Sequence, residues 1–532
     1  MGSKLLSSCC ILLLTLASTH IEASERVEEV FAYASDLQSQ HPQLCIAIGS
    51  INGSNQEVEH FGCDSGDFFQ IGSITKVFTS IALASSTHVT KNTALGDIFA
   101  EGLSPPVQQI TLEQLATHTS GLPRLPDNID LASIEDPYKN YGVKELMAYL
   151  ASYQPNPNTT PSFGYSNLGV GLLGHALGVS EGKSYDQVIT DNVLTPLKLR
   201  NTLFHPSSVS KKEKVLQGHN LSGQPVTNWS FDVLAGAGAL WSTLPDMMRF
   251  ASAQLGKLKT PLDQALTTTQ QSRASAGPGM EVGLGWMIDT NPPAITWHNG
   301  ATAGFRSWLG FNKDRGQAAI ILANGNLSEV DLMGPALMGR EIRLPTLSTS
   351  EKLDATDAKD YLGRYKLNPQ TFLDVTLDDN TLYIQLTGQP KFKLLSTGVD
   401  QFRTELVPAE LVFTRKKARI SRVTIHQGGK EIKGRRIGEV PTRTKLMLPA
   451  EQLEIFVGGY QIQRNFHLEI TLENNSLWVQ ATGQPKFPIF AESHTRFYLE
   501  VVAADLEFKV EDDQVKGVWL HQNGKHYGKK TK

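Results

Sequence analysis

The sequence predicts an α/β domain followed by two all-β modules. Between residues 24 and 343, helical periodicities alternate with short strand-like runs and glycine-rich turns. Residues 344–359 are polar and weakly periodic, which indicates a linker. Beyond them, short runs of alternating polarity separated by turn residues predict β-strands. A chain of 532 residues also exceeds what one hydrophobic core normally serves.

Composition and charge narrow the class of partner. The chain is 40% hydrophobic and 19% charged, which is ordinary for a globular protein. Its formal net charge of -4 provides no electrostatic reason to expect a nucleic acid or an anionic membrane surface as partner. We therefore expect a small-molecule substrate rather than a polyanion.

Residues 1–23 have the pattern of a signal peptide. Lys4 supplies a short positive region, Cys9 to Ala17 an apolar core, and Ala23 ends a small-residue cleavage site. The apolar run is too short to cross a bilayer. We expect a periplasmic or secreted protein with no integral membrane segment after cleavage. A lipoprotein attached through Cys9 is the weaker alternative, because almost no apolar region precedes that residue.

Two cysteines remain after such a cleavage. Cys45 and Cys63 flank two short strand-like stretches around an Asn52-Gly53 turn signal. A hairpin centred near residue 54 would place the cysteines nearly opposite each other, so that a disulfide could form in an oxidising compartment. Two free thiols are the equally open alternative. The cysteine and histidine spacing does not match that of a metal site, and we expect no metal.

The C-terminal region repeats itself at an offset of 95 residues. The stretch from Thr376 to Phe392 matches that from Thr471 to Phe487 at 11 of 17 positions, without a gap. Such a duplication predicts two copies of one β module, at 360–440 and 450–532, each long enough for a small barrel. The same offset relates Tyr365 to Tyr460, Phe402 to Phe497, Phe413 to Phe508 and His426 to His521.

The first candidate for chemistry is Ser73. An apolar helical pattern follows it, and Lys76 lies one turn later on the same face. A desolvated lysine at that distance can take the proton of the serine and make it a nucleophile. The alternative is a helix N-cap. Serine-x-x-lysine recurs at Ser180 and Ser208, in polar stretches with no buried helix behind them.

The second candidate is a glycine-rich turn that holds Tyr165 and Asn167 ahead of an apolar helix. A tyrosine hydroxyl whose pKa is lowered by a neighbouring ammonium can act as a general base. Asn167 offers a donor and an acceptor to a substrate amide. The alternative is a tyrosine packed under the loop. The same spacing at Tyr138 and Asn140 indicates that the pattern is common by chance.

The third candidate follows a strand-like run and comprises His298, Asn299, Gly300 and Ala301. Gly300 would let a substrate backbone approach closely. The Ala301 amide could pair with the Ser73 amide as an oxyanion hole, in which one donor contributes about 100- to 1000-fold in rate.

In this order, the three motifs resemble those of the serine β-lactamase and penicillin-binding-protein superfamily, and most closely its class C-like branch of D-aminopeptidases and esterases. The resemblance spans nearly all of residues 24–343. Four further segments support it: Leu115–Pro123, Val193–Thr202, Gly236–Phe250 and Gly283–Ile288.

The resemblance implies an antiparallel sheet flanked by helices, a helical lobe, and a site in the cleft between them. Ser73 would be the acylated nucleophile, Lys76 its proton partner and Tyr165 the base. Asn167 would contact a substrate amide, and the third motif would line the site. The reaction would be acyl transfer through a serine ester followed by hydrolysis, with no cofactor.

One departure bears on the substrate. Many members of the superfamily carry lysine as the first residue of the third motif, where it helps to hold the substrate carboxylate. Here that residue is His298, which is largely neutral near pH 7 at an ordinary pKa. Arg306 could supply the missing charge, although a surface role is the simpler expectation. We therefore expect a peptidase or esterase acting on a small peptide, ester or cell-wall-derived substrate.

Three alternatives stay open at this point. Within the enzyme class, the protein could be a β-lactamase or a D-Ala-D-Ala carboxypeptidase. It could also be a non-catalytic binding or assembly protein on a hydrolase fold. The C-terminal copies resemble the lipocalin-like β-barrel modules of some members of the branch. They could narrow the cleft or bind substrate, or be inert or oligomerising, and a homo-oligomer is compatible with the sequence.

Overall fold

In the computed structural model the chain forms two compact units, the first ending at residue 345 and the second beginning at residue 346. The predicted signal peptide and most of the predicted linker lie outside the described residues. The structure describes residues 26–531 except 130–135, 155–161, 207–214, 221–222, 346–354, 369–370, 379–380, 388, 390, 405–408, 418, 428–429, 442–444, 464–465, 474, 483–485, 501, 503, 513 and 523.

The first unit is built on an eight-stranded antiparallel sheet, with the strand order β2-β1-β10-β9-β8-β7-β6-β5. Two further strands of two residues each, β3 and β4, pair with one another. The strands are β1 (Ile46–Asn52), β2 (Asn55–Phe61), β3 (Phe69–Gln70), β4 (Trp241–Ser242), β5 (Ala274–Gly277), β6 (Met280–Val282), β7 (Met287–Asp289), β8 (Ile295–Ala301), β9 (Arg306–Asn312) and β10 (Gln317–Ala323).

Helices cover both faces of this sheet and form a separate helical region. Short 3₁₀ turns at Gly72–Ile74 and Ala235–Ala237 and a π turn at Thr190–Leu194 interrupt them. The helices are α1 (26–40), α2 (Thr75–Ser85), α3 (Leu95–Ile98), α4 (Pro105–Gln108), α5 (Leu112–Ala116), α6 (Val143–Ser152), α7 (Asn167–Glu181), α8 (Tyr185–Ile189), α9 (Thr195–Leu197), α10 (Leu244–Gln254), α11 (Asp263–Thr269) and α12 (Val330–Leu337).

The alternation of side chains along the strands explains the layering. Gly49 of β1 faces Met248 of α10, whereas Trp308 of β9 faces Gly334 of α12. Ile48 pairs with Ile321, and Ile321 pairs with Trp308, so that these three side chains point to the same face of the sheet. Gly49, the next residue of β1, points to the opposite face. The two helices therefore lie on opposite faces of the sheet. This confirms the predicted α/β architecture.

Helix α2 lies in the core of the unit. Every residue from Thr75 to Leu83 is buried, which is the pattern of an internal helix rather than a surface helix. Its apolar residues join the main core cluster, together with the stacked rings of Phe78 and Phe250, whose centroids are 4.4 Å apart. The helix thereby carries the polar side chain of Lys76 into an apolar interior.

The hairpin expected near residue 54 joins β1 to β2, with Asn52 opposite Asn55. This register brings the residues just outside the paired segment, Cys45 and Cys63, together. They form a disulfide with a Cα–Cα distance of 5.1 Å, within the usual range.

The second unit contains two closed antiparallel barrels of eight strands each. Pairing of β11 with β18 and of β19 with β26 closes them, and closure removes exposed sheet edges. The first comprises β11 (Gly363–Lys366), β12 (Phe372–Asp378), β13 (Thr381–Leu386), β14 (Lys391–Gly398), β15 (Gln401–Thr404), β16 (Glu410–Lys416), β17 (Arg419–Gln427) and β18 (Lys430–Gly438). The second comprises β19 (Gly458–Gln463), β20 (Phe466–Glu473), β21 (Ser476–Ala481), β22 (Lys486–Ala491), β23 (Arg496–Tyr498), β24 (Asp505–Glu511), β25 (Gln514–His521) and β26 (Lys525–Lys530).

One boundary differs from the prediction. Helix α13 (Ala355–Tyr361) begins inside the segment predicted as a linker, 344–359, so that the first module starts near residue 355 instead of 360. Ala358 and Tyr361, one helical turn apart, are buried in the core of the first barrel. Two apolar contacts in a polar stretch are too weak a period to predict a helix. The second module begins similarly, with α14 (Ala450–Leu453) and a 3₁₀ turn.

Among the described residues, no helix combines the length and the apolar character that crossing a bilayer requires.

Candidate active site

Ser73 and Lys76 are in direct contact. The 3₁₀ turn Gly72–Ile74 precedes α2, and the side-chain nitrogen Nζ of Lys76 donates to the Ser73 hydroxyl over 2.9 Å and to the Ala237 carbonyl over 2.7 Å. Ser73 does not cap the helix, because the N-cap is Ile74 and makes no side-chain cap bond. The N-cap alternative is therefore wrong.

Lys76 is fully buried, and burial lowers its pKa well below the usual 10.5. The positive charge of Arg124 lowers the pKa further. Both effects destabilise the ammonium form relative to the neutral amine. A neutral amine 2.9 Å from a serine hydroxyl can accept its proton. The pair is thus arranged for nucleophilic catalysis.

Tyr165 lies beside this pair. The side-chain nitrogen of Lys76 is 5.1 Å from the centre of the tyrosine ring, and the guanidinium carbon of Arg124 is 5.2 Å from it. Burial raises the pKa of Tyr165 to about 12, although a hydrogen bond with Ser73 and the charge of Arg124 act in the opposite direction. The expected lowering of this pKa is wrong, because desolvation outweighs the neighbouring charges. Tyr165 is a neutral phenol near pH 7.

Asn167 begins helix α7, where the hydroxyl of Ser166 caps the helix by accepting from the Gly169 amide over 2.8 Å. The Asn167 amide nitrogen donates to the hydroxyl of Tyr138 over 2.9 Å. Its carbonyl oxygen Oδ1 is buried and has no hydrogen-bond partner among the described residues. An orphaned acceptor at the edge of a cavity is suited to a substrate N–H.

Tyr138 belongs to a tripeptide that the sequence indicates only as a chance match, and the structure places it in the site. It stacks on Phe231 with a centroid distance of 4.6 Å. Its hydroxyl holds the amide of Asn167, which leaves Oδ1 of that residue directed elsewhere. Nothing in the local sequence around Tyr138 indicates this role.

The third motif forms the end of strand β8, and its residues divide between the cavity wall and the interior. Asn299 and Ala301 line the cavity next to Ser73. Asn299 donates to Asp331 over 3.0 Å, and Arg306 forms an ion pair with the same carboxylate. Arg306 also lines the cavity, which corrects the simpler expectation of a surface role.

His298 is buried behind the cavity wall, with 1% of its surface exposed. Its Nδ1 lies 2.6 Å from the Asn299 carbonyl, which fixes the proton on that nitrogen, and its ring centroid is 6.1 Å from that of Tyr165. Burial and the charge of Lys76 lower its pKa to about 3. His298 is neutral, and the predicted substrate contact by its side chain is replaced by packing near Tyr165.

Gly300 is needed by the protein itself. A Cβ at this position would collide with the Ile71 carbonyl and the Ser307 hydroxyl. The backbone that approaches Gly300 closely is that of Ile71, next to the turn that carries Ser73. The expectation that Gly300 makes room for a substrate backbone is therefore wrong. In the same way, a Cβ at Gly72 would lie 2.8 Å from the Ala301 amide nitrogen. The Ala301 amide therefore lies against the nucleophile turn, as the oxyanion-hole prediction requires.

His118 is a site residue that the motif analysis missed. It has a positive φ of 59°, its Nδ1 accepts from the Ser166 amide over 3.1 Å, and its ring centroid is 4.4 Å from that of Tyr165. Burial and the charge of Lys76 lower its pKa well below 6.5. His118 thus supports Tyr165 as a neutral ring. The segment Leu115–Pro123, which contributed to the resemblance, was the available signal.

The competing serine-x-x-lysine sequences make no such site. The hydroxyl of Ser180 donates to the Leu177 carbonyl over 2.9 Å, and Lys183 pairs with Asp191 over 3.0 Å at the surface. Ser208 and Lys211 lie outside the described residues.

A cavity of about 930 Å³ opens in front of Ser73. Among the described residues, its wall offers hydroxyl, amide and guanidinium groups but no carboxylate, thiol or imidazole, which are the usual ligands of a metal. Elsewhere in the described chain, Cys45, Cys63 and Asp67 lie close together, but a disulfide removes the thiolates that a metal would need. The wall comprises Ser73, Arg124, Leu125, Pro137, Tyr138, Tyr165, Asn167, Asn220, Pro225, Val226, Thr227, Trp229, Asn299, Ala301, Thr302, Ala303, Arg306 and Asn326.

Comparison with known proteins places this site in a family. A family model described as Beta-lactamase matches residues 46–338, and one described as Domain of unknown function (DUF3471) matches residues 442–529, which cover the second barrel. The chain is 25% identical over 298 residues to a protein of Pseudomonas fluorescens named Beta-lactamase, a match that covers 48% of this chain and 79% of the relative.

Two further matches carry a peptidase name. The chain is 26% identical over 275 residues to the D-alanyl-D-alanine-carboxypeptidase/endopeptidase AmpH of Escherichia coli (strain K12), covering 48% of this chain and 70% of the relative. The fold is similar to that of the Beta-Lactamase/D-Alanine Carboxypeptidase from Pseudomonas syringae, with a TM-score of 0.52 and 20% identity, covering 60% of this chain and 100% of that chain.

The fold and the serine–lysine pair are those of a serine hydrolase related to the β-lactamases. The Beta-lactamase match extends over more than half of the sequence. The chain therefore belongs to the Beta-lactamase family.

Proposed function

We propose that the protein is a periplasmic or secreted serine hydrolase that cleaves an amide or ester bond of a small peptide, ester or cell-wall-derived substrate through an acyl-enzyme on Ser73. One observation carries the proposal. The Ser73 hydroxyl lies 2.9 Å from a fully buried lysine whose pKa is well below its usual value, at the floor of an open cavity. A surface serine-lysine pair would have neither property.

The first step is acylation. Neutral Lys76 takes the proton of the Ser73 hydroxyl as its oxygen attacks the substrate carbonyl, and the amides of Ser73 and Ala301 face the developing oxyanion. Tyr165, a neutral phenol in hydrogen-bond contact with Ser73, passes a proton to the departing amine or alcohol. That proton balances the one taken from Ser73, and Lys76 returns it to Tyr165. Water then hydrolyses the ester by the same route in reverse.

A peptidase or esterase is the favoured activity. His298 is neutral and buried, so that it supplies no cation at the position where many relatives carry lysine. The charge of Arg306 is compensated by Asp331. A β-lactamase or D-Ala-D-Ala carboxypeptidase is the second candidate, and the names of the relatives support it. Peptides that contain D-amino acids fall within the proposed class of small peptide substrates.

A non-catalytic binding protein is the third candidate, and the buried Lys76 argues against it. A lysine held in an apolar interior with no carboxylate partner among the described residues lowers stability, and a scaffold without catalysis has no use for it.

Compartment and assembly complete the proposal. The signal-peptide pattern of residues 1–23 and the Cys45–Cys63 disulfide support an oxidising compartment, and a homo-oligomer is compatible with it.

Intact-mass labelling with a fluorophosphonate tests the nucleophile. We expect one adduct on the wild type, none on Ser73→Ala, and full labelling of Ser180→Ala, the serine of the competing motif. A penicillin measured in parallel separates the candidates, because a stable adduct favours a penicillin-binding role and rapid turnover a β-lactamase. A wild-type protein that gains no mass from either reagent would contradict the hydrolase proposal.

A further inference from the structure

We propose that Arg124 binds a carboxylate of the substrate and so selects anionic peptides or esters over neutral ones. The inference rests on the proposed function and names its substrate class. It assigns to a loop arginine the charge recognition that the third motif does not provide here.

The backbone of Arg124 is anchored at the site. Its carbonyl accepts from the amide nitrogens of Asn167 and Leu168 over 3.0 and 3.2 Å, at the start of helix α7. Arg124 therefore lies beside the first turn of helix α7, next to Asn167, whose buried Oδ1 has no hydrogen-bond partner among the described residues. A substrate whose N–H group donates to this oxygen would lie next to Arg124.

The side chain of Arg124 is also directed into the site. Its guanidinium carbon lies 5.2 Å from the ring centre of Tyr165, within the range of a cation–π contact, and the residue lines the cavity in front of Ser73. A cation–π contact holds the guanidinium near the ring and leaves N–H groups free to bind a carboxylate in bidentate fashion. Arg124 is exposed, so that a substrate can reach it.

Charge singles out Arg124 from the other basic side chains of the site. Arg306 is held by Asp331, and Lys76 is buried against Ser73 and the Ala237 carbonyl. Among the described residues, Arg124 forms no ion pair, and the cavity wall contains no carboxylate. Among its described residues, the wall therefore carries one positive charge that no carboxylate offsets. A substrate carboxylate supplies the missing partner.

Two matched pairs of aryl esters test the proposal. In the first pair, the acyl group is N-succinylglycine or its N-succinamoyl counterpart. In the second pair, the leaving group is 3-carboxyphenol or 3-carbamoylphenol. Each pair differs by one carboxylate against one amide. We measure kcat/KM for all four esters on the wild type, Arg124→Gln, Arg124→Lys and the control Arg315→Gln, which removes an exposed arginine on the β9–β10 turn.

We expect the wild type to prefer the carboxylate in at least one pair by about tenfold to a hundredfold, the range of a charge-assisted contact. Arg124→Gln should bring that ratio close to one, Arg124→Lys should retain part of it, and Arg315→Gln should leave it unchanged. The ratio is taken within each variant, so that any effect of Arg124 on Lys76 or Tyr165 cancels.

A ratio near one in both pairs on the wild type, or a preference that Arg124→Gln keeps, would overturn the assignment. Fluorophosphonate labelling of the same preparations reports separately on the nucleophile. If labelling and turnover both fail, the proposed function fails. Calorimetric binding of the intact esters then still decides the role of Arg124, by the same comparison of carboxylate with amide and of wild type with Arg124→Gln.

Discussion

Three paired arginines of the barrels differ from the two basic side chains that lie next to Ser73 and Tyr165 in the first unit. In the barrels, Arg364 is held by Asp374, Arg415 by Asp360 and Asp400, and Arg496 by Asp505. The carboxylates raise the pKa of each of these guanidinium groups. In the site, Lys76 and Arg124 have no carboxylate partner among the described residues, and burial lowers the pKa of Lys76.

The difference separates groups that hold the fold together from groups that can react. A cation paired with a carboxylate at a barrel surface keeps its proton, and the pair contributes little to the free energy of unfolding. A lysine kept without a carboxylate partner in the interior, as Lys76 is, gives up its proton easily, at a cost in stability. A fully buried lysine without a carboxylate partner among the described residues therefore distinguishes the Ser73–Lys76 pair, and each prediction below breaks or sharpens this contrast.

The largest effect is expected from Lys76→Met. Removing the proton acceptor beside Ser73 should slow fluorophosphonate labelling by about 10²- to 10⁴-fold, the usual contribution of a general base. Lys183→Met is the matched control, because it removes the lysine of the competing motif, which pairs with Asp191 at the surface. Labelling of Lys76→Met at the wild-type rate would remove Lys76 from the mechanism.

The same variant also tests how much the buried lysine lowers the free energy of unfolding, through the dependence of that free energy on pH. Since the pKa of Lys76 is lowered in the folded protein, the unfolded chain binds more protons between that value and 10.5. The free energy of unfolding of the wild type should therefore rise with pH in this window relative to that of Lys76→Met. Urea unfolding followed by tryptophan fluorescence measures it, because five of the seven tryptophans lie in the first unit. Parallel curves would contradict the lowered pKa.

The next effect concerns packing around the nucleophile. Gly300→Ala places a methyl group against the Ile71 carbonyl and the Ser307 hydroxyl, which must shift. We expect a loss of about 1–3 kcal/mol in the free energy of unfolding, the range of overpacking, and slower labelling of Ser73 because Ile71 precedes its turn. Urea unfolding and labelling rates measure the two effects.

Gly398→Ala in the first barrel is the control for Gly300→Ala. A Cβ at Gly398 meets the Gln401 side chain at 3.7 Å, an ordinary contact, and the expected change is about 0.5 kcal/mol or less. If the two variants behave alike, Gly300 does not position the nucleophile turn.

Local geometry alone brings together only Ser73 and Lys76, whereas the family resemblance places Tyr165, Asn167 and the third motif beside them. Ser73 and Lys76 are one helical turn apart, and any helix there places them side by side. Tyr165 and Asn167 stand at the start of a helix, where a polar turn is expected. The two barrels were also predictable, because period-two runs and a repeat are properties of the sequence itself.

The residues that sequence reasoning missed depend on tertiary contacts. Tyr138 and Arg124 reach the site on loops, and His118 adopts a positive φ that no residue-level pattern requires. The pKa of Tyr165 was misjudged for the same reason. Its direction follows from a competition between burial and nearby charge, and the extent of burial is known only from the packed structure.

The smallest effect tests whether the two barrels are equivalent. The hydroxyl of Tyr365 donates to the Tyr361 carbonyl over 2.7 Å, and the hydroxyl of Tyr460 donates to the Phe456 carbonyl over 2.7 Å. Both tyrosines are fully buried, so that Tyr365→Phe and Tyr460→Phe each leave one carbonyl without its partner, at a cost of about 1 kcal/mol. Peptide-resolved hydrogen exchange on the full chain should show faster exchange in the barrel that carries the substitution, by a similar factor for the two variants, and unchanged exchange in helix α2. Unequal losses would mean that the barrels, although built from matching sequences, differ in stability, and faster exchange in α2 would mean that the structural hydrogen bonds of the second unit also sustain the site of the first.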